Sequence, residues 1–222
     1  MNRIAVFARR PVPGRVKTRL SPALPAALAC DLYRAMLEDA LAAAAGAGAG
    51  EQLVYWDDPP GDEGASPAKG FAERQQQGPD LGTRLEAAFV QLLRAEGDRA
   101  LVIGADCPLL DAAMLRGAFE ALGSHDLVLG PTRDGGYYLV GLRRCAPQLF
   151  QDIPWSTERV FGQSIERARG LGLTIKTLAE LEDLDTPADL VRWLGCVVTL
   201  PDPPRLRTVE ALEAMKLLPG RA

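Results

Sequence analysis

"ALVIGADCPLLD" runs from Ala100 to Asp111. Ala100 to Ile103 is apolar at every position, without the polar alternation of a half-exposed strand, so it reads as a strand covered on both faces. Asp106 stands at the carboxyl end of this segment. A Cys-Pro pair then turns the chain, and Asp111 is placed to cap a helix running to Leu122. A two-face strand feeding a helix belongs to an α/β sheet with helices on either side.

The same pattern extends outward. Arg3 to Ala8, Gln52 to Trp56, Asp126 to Pro131, Gly136 to Leu142 and Leu173 to Leu178 read as further strands. Helices are expected over Pro25–Ala45, Leu81–Ala95, Asp111–Leu122, Ser156–Arg169 and Pro187–Leu194. "DLVLGP" and "GYYLVGL" lie too close together for a helical crossover, so they pair antiparallel and the sheet is mixed, mostly parallel. "DDPPGDEGASPAKG", Asp57 to Gly70, reads as a loop. No internal repeat is visible. The pattern fills 1–196 as one domain. Residues 197–222 form a C-terminal extension, a proline-rich connector and a short helix, Thr208 to Leu217, whose expected role is packing, with a homodimer contact as an option.

The chain has 222 residues, 47% of them hydrophobic, with a formal net charge of -4. That size supports a real core, and the charge argues against a nucleic-acid partner, since such proteins are usually basic. The four cysteines at 30, 107, 145 and 196 lack metal-type or redox-type spacing and read as reduced thiols of a cytoplasmic protein. The apolar start, Ile4 to Ala8, is too short for a signal peptide or a membrane span. One histidine, His125, and no isolated nucleophile motif exclude hydrolase triads.

Against this acidic background, "ARRPVPGRVKTRL", Ala8 to Leu20, carries Arg9, Arg10, Arg15, Lys17 and Arg19. It follows the first strand and precedes the first helix, where open α/β sheets bind ligands. Ala8, Pro11, Gly14, Arg15 and Thr18 shape a loop whose amides, with Lys17 and Arg19, suit a di- or triphosphate. It is not a P-loop, because Val16 precedes Lys17 and the second glycine is missing. A merely solvated basic loop is the plain alternative. Asp106 is placed for a hard divalent cation. In "LEDLDTPADL", Leu181 to Leu190, Thr186-Pro187 starts a helix and leaves Glu182, Asp183 and Asp185 crowded before it. A shared cation relieves that repulsion, whereas the plain reading is three solvated acids near a helix dipole. Joined to Asp106, Asp185 completes a two-carboxylate metal site.

Three further segments carry candidate ligand contacts. "QQQGPDLGTRL" offers Gly78, Asp80, Gly82 and Arg84 near a base or ribose, or is an ordinary helix start. "GPTRDGGYYLVGL" offers Asp134, Gly135, Gly136 and Tyr137, or is a plain hairpin. Tyr137 and Tyr138 point to opposite faces, one toward the core and one toward a cleft. "IPWST" offers Trp155 as a stacking surface or as half-buried packing, beside Ser156 and Thr157.

Taken together and in order, "ARRPVPGRVKTRL", "DLGTRL", "GADCPLL", "DGGYYLVGL", "PWST" and "LEDLDTPADL" resemble the nucleotide-diphospho-sugar transferase superfamily. More closely, the chain resembles the glycosyltransferase-A-like family of radical-SAM/selenodomain-associated transferases. The first loop and the Asp-Thr-Pro segment are also similar to 2-phospho-lactate and molybdenum-cofactor guanylyltransferases. The resemblance implies a three-layer αβα, Rossmann-like glycosyltransferase-A fold and a nucleotide-binding transferase domain. It implies that Lys17 and Arg19 neutralise nucleotide phosphates, that Asp106 and Asp185 hold Mg²⁺ or Mn²⁺, and that Gly135 and Gly136 lie under the acceptor. The chain departs from the guanylyltransferases at Arg9-Arg10-Pro11, where they have a Gly-Gly loop, and at Gly-Gly-Tyr-Tyr. It also lacks the Asp-x-Asp of many sugar transferases, with Gly104 two before Asp106.

The expected chemistry is metal-dependent nucleotidyl transfer from a nucleoside triphosphate to a small phosphorylated acceptor, releasing pyrophosphate. Lys17, Arg19 and Asp106 are the expected catalytic groups. Glycosyl transfer from a nucleotide-sugar on the same site, and nucleotide binding without turnover, are the competing readings.

Overall fold

The computed structural model describes residues 1–21, 23–57, 66–199 and 205–218. Most of the loop expected at 57–70, from 58 to 65, and the connector at 200–204 lie outside the described residues.

Among the described residues seven strands form one sheet: β1 (Asn2–Ala8), β2 (Glu51–Trp56), β3 (Ala72–Gln75), β4 (Arg99–Ile103), β5 (Leu127–Pro131), β6 (Tyr137–Leu142) and β7 (Ile175–Thr177). Their order is β3-β2-β1-β4-β6-β5-β7. β1 pairs parallel with β2 and β4, and β2 with β3. β6 enters antiparallel between β4 and β5, and β7 closes the edge parallel to β5. The sheet is therefore mixed and mostly parallel, as the tight β5–β6 connection requires. β3 has no apolar run, "AERQ", and its edge position explains why hydrophobic patterning does not reveal it.

Alternation along each strand separates two cores. Ile4, Val6, Val54, Trp56, Leu101 and Ile103 face α1 (Ala26–Ala45) and α3 (Ala112–Ala121). Ala5, Leu53, Tyr55, Ala100 and Val102 face α2 (Leu81–Leu92), and on the same side the second core takes in Ala168 of α4 (Val160–Gly170). This is the three-layer arrangement. On its far side α1 meets α5 (Pro187–Thr199) and α6 (Arg207–Ala214) through Leu32, Met36, Trp193, Val209 and Leu212. The buried Asp39 of α1 accepts the Arg207 amide at 2.7 Å and the Thr208 amide at 2.9 Å, so one helix caps the start of another.

Four helix boundaries differ from the periodicity. α6 stops at Ala214, short of Leu217, where Lys216 turns left-handed at φ 59°. α2 stops at Leu92, short of Ala95, because Asp98 captures the amides of Arg94 and Ala95, both at 2.9 Å. α4 starts at Val160, four residues after Ser156, because Ser156 is left-handed, with φ 65°. α5 continues past Leu194 to Thr199.

Because β1, β2 and β4 run parallel, the loops that leave their carboxyl ends gather at one end of the sheet. β6 runs the other way, so the turn that precedes it, 132–136, arrives at that same end. The segment after β7 also ends there, through the Thr132–Leu181 bridge and a hydrogen bond donated by the Leu181 amide to the Pro131 carbonyl at 3.1 Å. Strand direction thus delivers to one rim every segment singled out from the sequence except "IPWST", which follows the opposite end of β6 and reaches the site by packing of Trp155 against Gly82.

Candidate active site

Asp106 and Asp185, far apart in sequence, converge on one ammonium group. The Lys17 Nζ lies 2.5 Å from Asp106 Oδ1 and 3.4 Å from Asp185 Oδ1. The Lys17 side chain is only 3% exposed. Burial opposes its charge, but Asp106 and then Asp185 outweigh that cost and raise the ammonium's pKa. Lys17 holds this place with a left-handed backbone, φ 49° and ψ 37°. A non-glycine residue in that region stores strain and marks a place where surrounding structure dictates the conformation. Arg19 approaches the other face of Asp185, 2.9 Å from Oδ2.

The carboxylates are positioned from behind. The Leu184 amide donates to the Asp106 carbonyl at 2.9 Å, which binds the acidic segment to the end of β4. The buried Asp189 then fixes the backbone at Asp185 and Thr186. Its Oδ2 accepts the Thr186 amide at 2.6 Å and the Asp185 amide at 3.3 Å. Thr186 Oγ1 accepts the Asp189 amide at 3.3 Å, which makes a reciprocal cap at the start of α5. Arg192 pairs with Asp189 and with Glu182, so Glu182 faces Arg192 and Arg133 rather than the Lys17 ammonium.

Around this centre a cavity of about 550 Å³ is lined, among the described residues, by five cations, Arg9, Arg15, Lys17, Arg19 and Arg84, and three carboxylates, Asp57, Asp106 and Asp185, with Arg9 paired to Asp57 at 2.7 Å. Ala8, Thr18 and Ser156 also line it. Tyr33 on α1 holds the loop: its hydroxyl accepts the Arg9 amide at 2.8 Å and donates to the Arg9 carbonyl at 3.2 Å. Arg10 is turned away, with its guanidinium 4.8 Å from the Trp56 ring centre and 3.6 Å from Glu73.

A second cavity of about 580 Å³ adjoins the first and shares Arg19, Leu81, Asp106 and Ser156 with it. Asp134, Glu158 and Asp183 make it acidic, and Gly136, Tyr137, Trp155 and Thr157 complete the candidates found there. Asp183 has its carboxyl pushed up to about 6, first by burial and then by the charge of Asp134. Tyr137 and Trp155 meet edge to face at 6.3 Å, so Trp155 is half-buried packing as well as wall. Tyr138 points to the other core and its hydroxyl donates to the Ala179 carbonyl at 3.0 Å.

Six candidates line neither cavity: Pro11, Gly14, Gly78, Asp80, Gly82 and Gly135. Asp80 caps α2, accepting the Thr83 amide at 2.9 Å. Gly82 lets Trp155 and the Phe150 carbonyl approach: a Cβ there would lie 2.6 Å from each. Gly135, at φ 88°, lies against the backbone of Glu158, and a Cβ would meet its carbonyl oxygen at 2.1 Å. Its carbonyl accepts the Phe161 amide at 2.8 Å. Gly135 therefore docks the start of α4 onto the turn, and only Gly136 of the pair reaches the cavity. Sequence reasoning missed Tyr33, Asp57, Gln76 and Asp189. Asp189 carried a usable signal, an acid three residues after Thr186.

Two carboxylates already sharing a cation suit a hard divalent ion. Among the described residues no group of three His, Cys, Asp or Glu side chains forms a metal cage. A two-carboxylate set is the way Mg²⁺ is commonly held, with substrate phosphates supplying further oxygens.

The family model described as "Uncharacterized protein conserved in bacteria (DUF2064)" matches residues 38–157. The chain belongs to the DUF2064 family. This DUF2064 chain is 34% identical over 187 residues to the 3-phospho-D-glycerate guanylyltransferase of Phenylobacterium zucineum (strain HLK1), covering 79% of this chain and 82% of that protein. Its fold matches a crystal structure from Desulfovibrio desulfuricans G20, described as a "putative nucleotide-diphospho-sugar transferase", with a TM-score of 0.87 and 28% identity, covering 97% of this chain and 95% of that one. The manganese complex of Rv0371C from Mycobacterium tuberculosis H37Rv shares the fold at a TM-score of 0.53 and 17% identity, covering 88% of this chain and 98% of that one. The DUF2064 chain has the nucleotide-diphospho-sugar transferase fold, and it is a transferase. No helix among the described residues is long and apolar enough to cross a membrane.

Proposed function

We propose that this chain transfers a nucleotidyl group, with guanylyl the first choice, from a nucleoside triphosphate to a small phosphorylated acceptor. The observation that carries the reading is the five-cation cavity built around the Asp106–Lys17–Asp185 contact. The guanylyl group and the phosphorylated acceptor come from the relative that is named for 3-phospho-D-glycerate.

In the reaction, an acceptor phosphate oxygen attacks the α-phosphorus, the bond from that phosphorus to the β-bridging oxygen breaks, and pyrophosphate leaves with the bond's electron pair. Such transfers run on positioning and charge neutralisation. Asp106 and Asp185 would hold a divalent metal, which supplies charge neutralisation at the phosphates and orients them. Lys17 and Arg19 stabilise charge on the leaving pyrophosphate. Arg9, Arg15 and Arg84 draw the anionic donor into the cavity. The acceptor enters where the second cavity meets the first, with its phosphate against Arg19, the one cation among the described residues that line that cavity, and away from Asp134, Glu158 and Asp183.

Glycosyl transfer is the second reading, favoured by the carboxylates and the aromatic pair of the second cavity. A screen of nucleoside triphosphates with Mg²⁺ and three-carbon phosphorylated acids separates the two. Acceptor-dependent pyrophosphate release supports nucleotidyl transfer. Nucleoside diphosphate release from a nucleotide-sugar, with no reaction of any triphosphate, overturns it.

A further inference from the structure

The cation between Asp106 and Asp185 belongs to the protein itself. Lys17 Nζ stands where a metal shared by the two carboxylates would stand, and its side chain is almost fully enclosed. It cannot stay in contact with both carboxylates once a divalent ion binds between them, because two cations would then compete for the same oxygens. Nor can it withdraw without cost: an enclosed ammonium that loses its partners is an uncompensated charge. A metal arriving alone therefore displaces a buried cation into an unfavourable place. A metal arriving with a triphosphate brings the anion that receives it.

We propose that Lys17 is an exchangeable counter-ion, which holds Asp106 and Asp185 together before substrate binds and passes to the polyphosphate when the metal takes the carboxylates. The inference rests on the metal assignment of those two carboxylates. It makes metal and nucleotide binding mutually dependent, a coupling between two ligands that share one switching residue. The left-handed backbone at Lys17 fits this role, since φ 49° is held by its surroundings rather than by its own preference. The scarcity of protein ligands among the described residues fits it too: beside two carboxylates, phosphate oxygens and water would supply the rest of a metal's shell. The exchange protects the site from idle occupation by free metal and gathers the metal only with the donor.

The test is Mn²⁺ binding by the full chain without nucleotide, read from the electron paramagnetic resonance signal of free Mn²⁺. Lys17→Met removes the competing ammonium and should bind Mn²⁺ about tenfold tighter or more, within the usual range of coupling between sites. The same variant should bind inorganic tripolyphosphate more weakly than wild type. Lys17→Gln keeps a polar group near the carboxylates and repeats the comparison should the methionine variant fold poorly. Mn²⁺ affinity unchanged or weakened in the folded variants overturns the exchange. Tighter Mn²⁺ binding by the variants, beside a wild-type protein that transfers no nucleotidyl group, would sink the functional reading and leave the exchange standing. Unchanged Mn²⁺ binding beside normal wild-type pyrophosphate release would sink the exchange alone.

Discussion

The Leu184 amide donates to the Asp106 carbonyl at 2.9 Å, and this bond joins the two halves of the site. It ties a residue at the end of the central strand to one far later in the chain, so both carboxylates face Lys17. The bond uses the backbone of Asp106 and leaves its carboxylate for chemistry. Asp106→Asn should therefore lower kcat/KM about 100-fold or more, as removal of a charge-stabilising group commonly does. Its melting temperature should fall by several degrees with the fold retained, because the enclosed Lys17 ammonium loses its nearest carboxylate and keeps only Asp185. Turnover near wild type in a folded variant would remove Asp106 from the reaction.

Asp189 acts one step behind. It binds the amides of Asp185 and Thr186 and touches neither cavity. Asp189→Ala should lose about 1–2 kcal/mol of stability in urea titration, the usual cost of a helix cap. It should also weaken Mn²⁺ binding in the presence of nucleotide by about tenfold, as loss of a ligand-orienting partner does. A stability loss with metal affinity intact would restrict Asp189 to capping.

At Gly135 the expected effect is on shape. Alanine would place its Cβ 2.1 Å from the Glu158 carbonyl oxygen and would strain a backbone at φ 88°. Gly135→Ala should destabilise by about 1–3 kcal/mol through forced displacement of the α4 start. That displacement moves the wall of the second cavity, so KM for the acceptor should rise while KM for the nucleotide holds. Equal effects on both would contradict the separation of the two cavities.

Acid sensitivity should arise far from the site. Burial works against the Asp126 carboxylate, but the amide and hydroxyl of Thr174 together with Arg143 and Arg144 outweigh it and hold the carboxyl well below its ordinary value. A folded-state pKa below the unfolded one gives stability that is present above about pH 4 and is lost as pH falls through the folded value. Asp126→Asn should be less stable than wild type at pH 7 and should lose less on going to about pH 3, measured by urea titration at each pH. An unchanged acid slope would place the sensitivity elsewhere.

Much of this was legible in the sequence because the strands that build the rim are covered on both faces. Ala100–Ile103 and Ile4–Ala8 could be read from apolar continuity alone. The tight spacing between Pro131 and Tyr137 implied the antiparallel strand. The edge strand β3 was hidden because "AERQ" carries no such signal. Asp106, Lys17 and Asp185 were legible by charge type and position. That Lys17 would lie between the carboxylates was not, because contact over such a separation depends on how the loops pack. The glycines misled for a related reason: Gly82 and Gly135 admit neighbouring protein atoms rather than ligand, and composition does not distinguish the two.

The most direct test of nucleotidyl transfer tracks the α-phosphorus. The full chain is incubated with GTP, Mg²⁺ and 3-phospho-D-glycerate and monitored by ³¹P NMR. The α-phosphorus resonance should pass into a new diphosphate linkage to the acceptor while pyrophosphate appears in equal amount. GTP left unchanged by the folded protein, with a nucleotide-sugar consumed under the same conditions and nucleoside diphosphate released, would contradict nucleotidyl transfer.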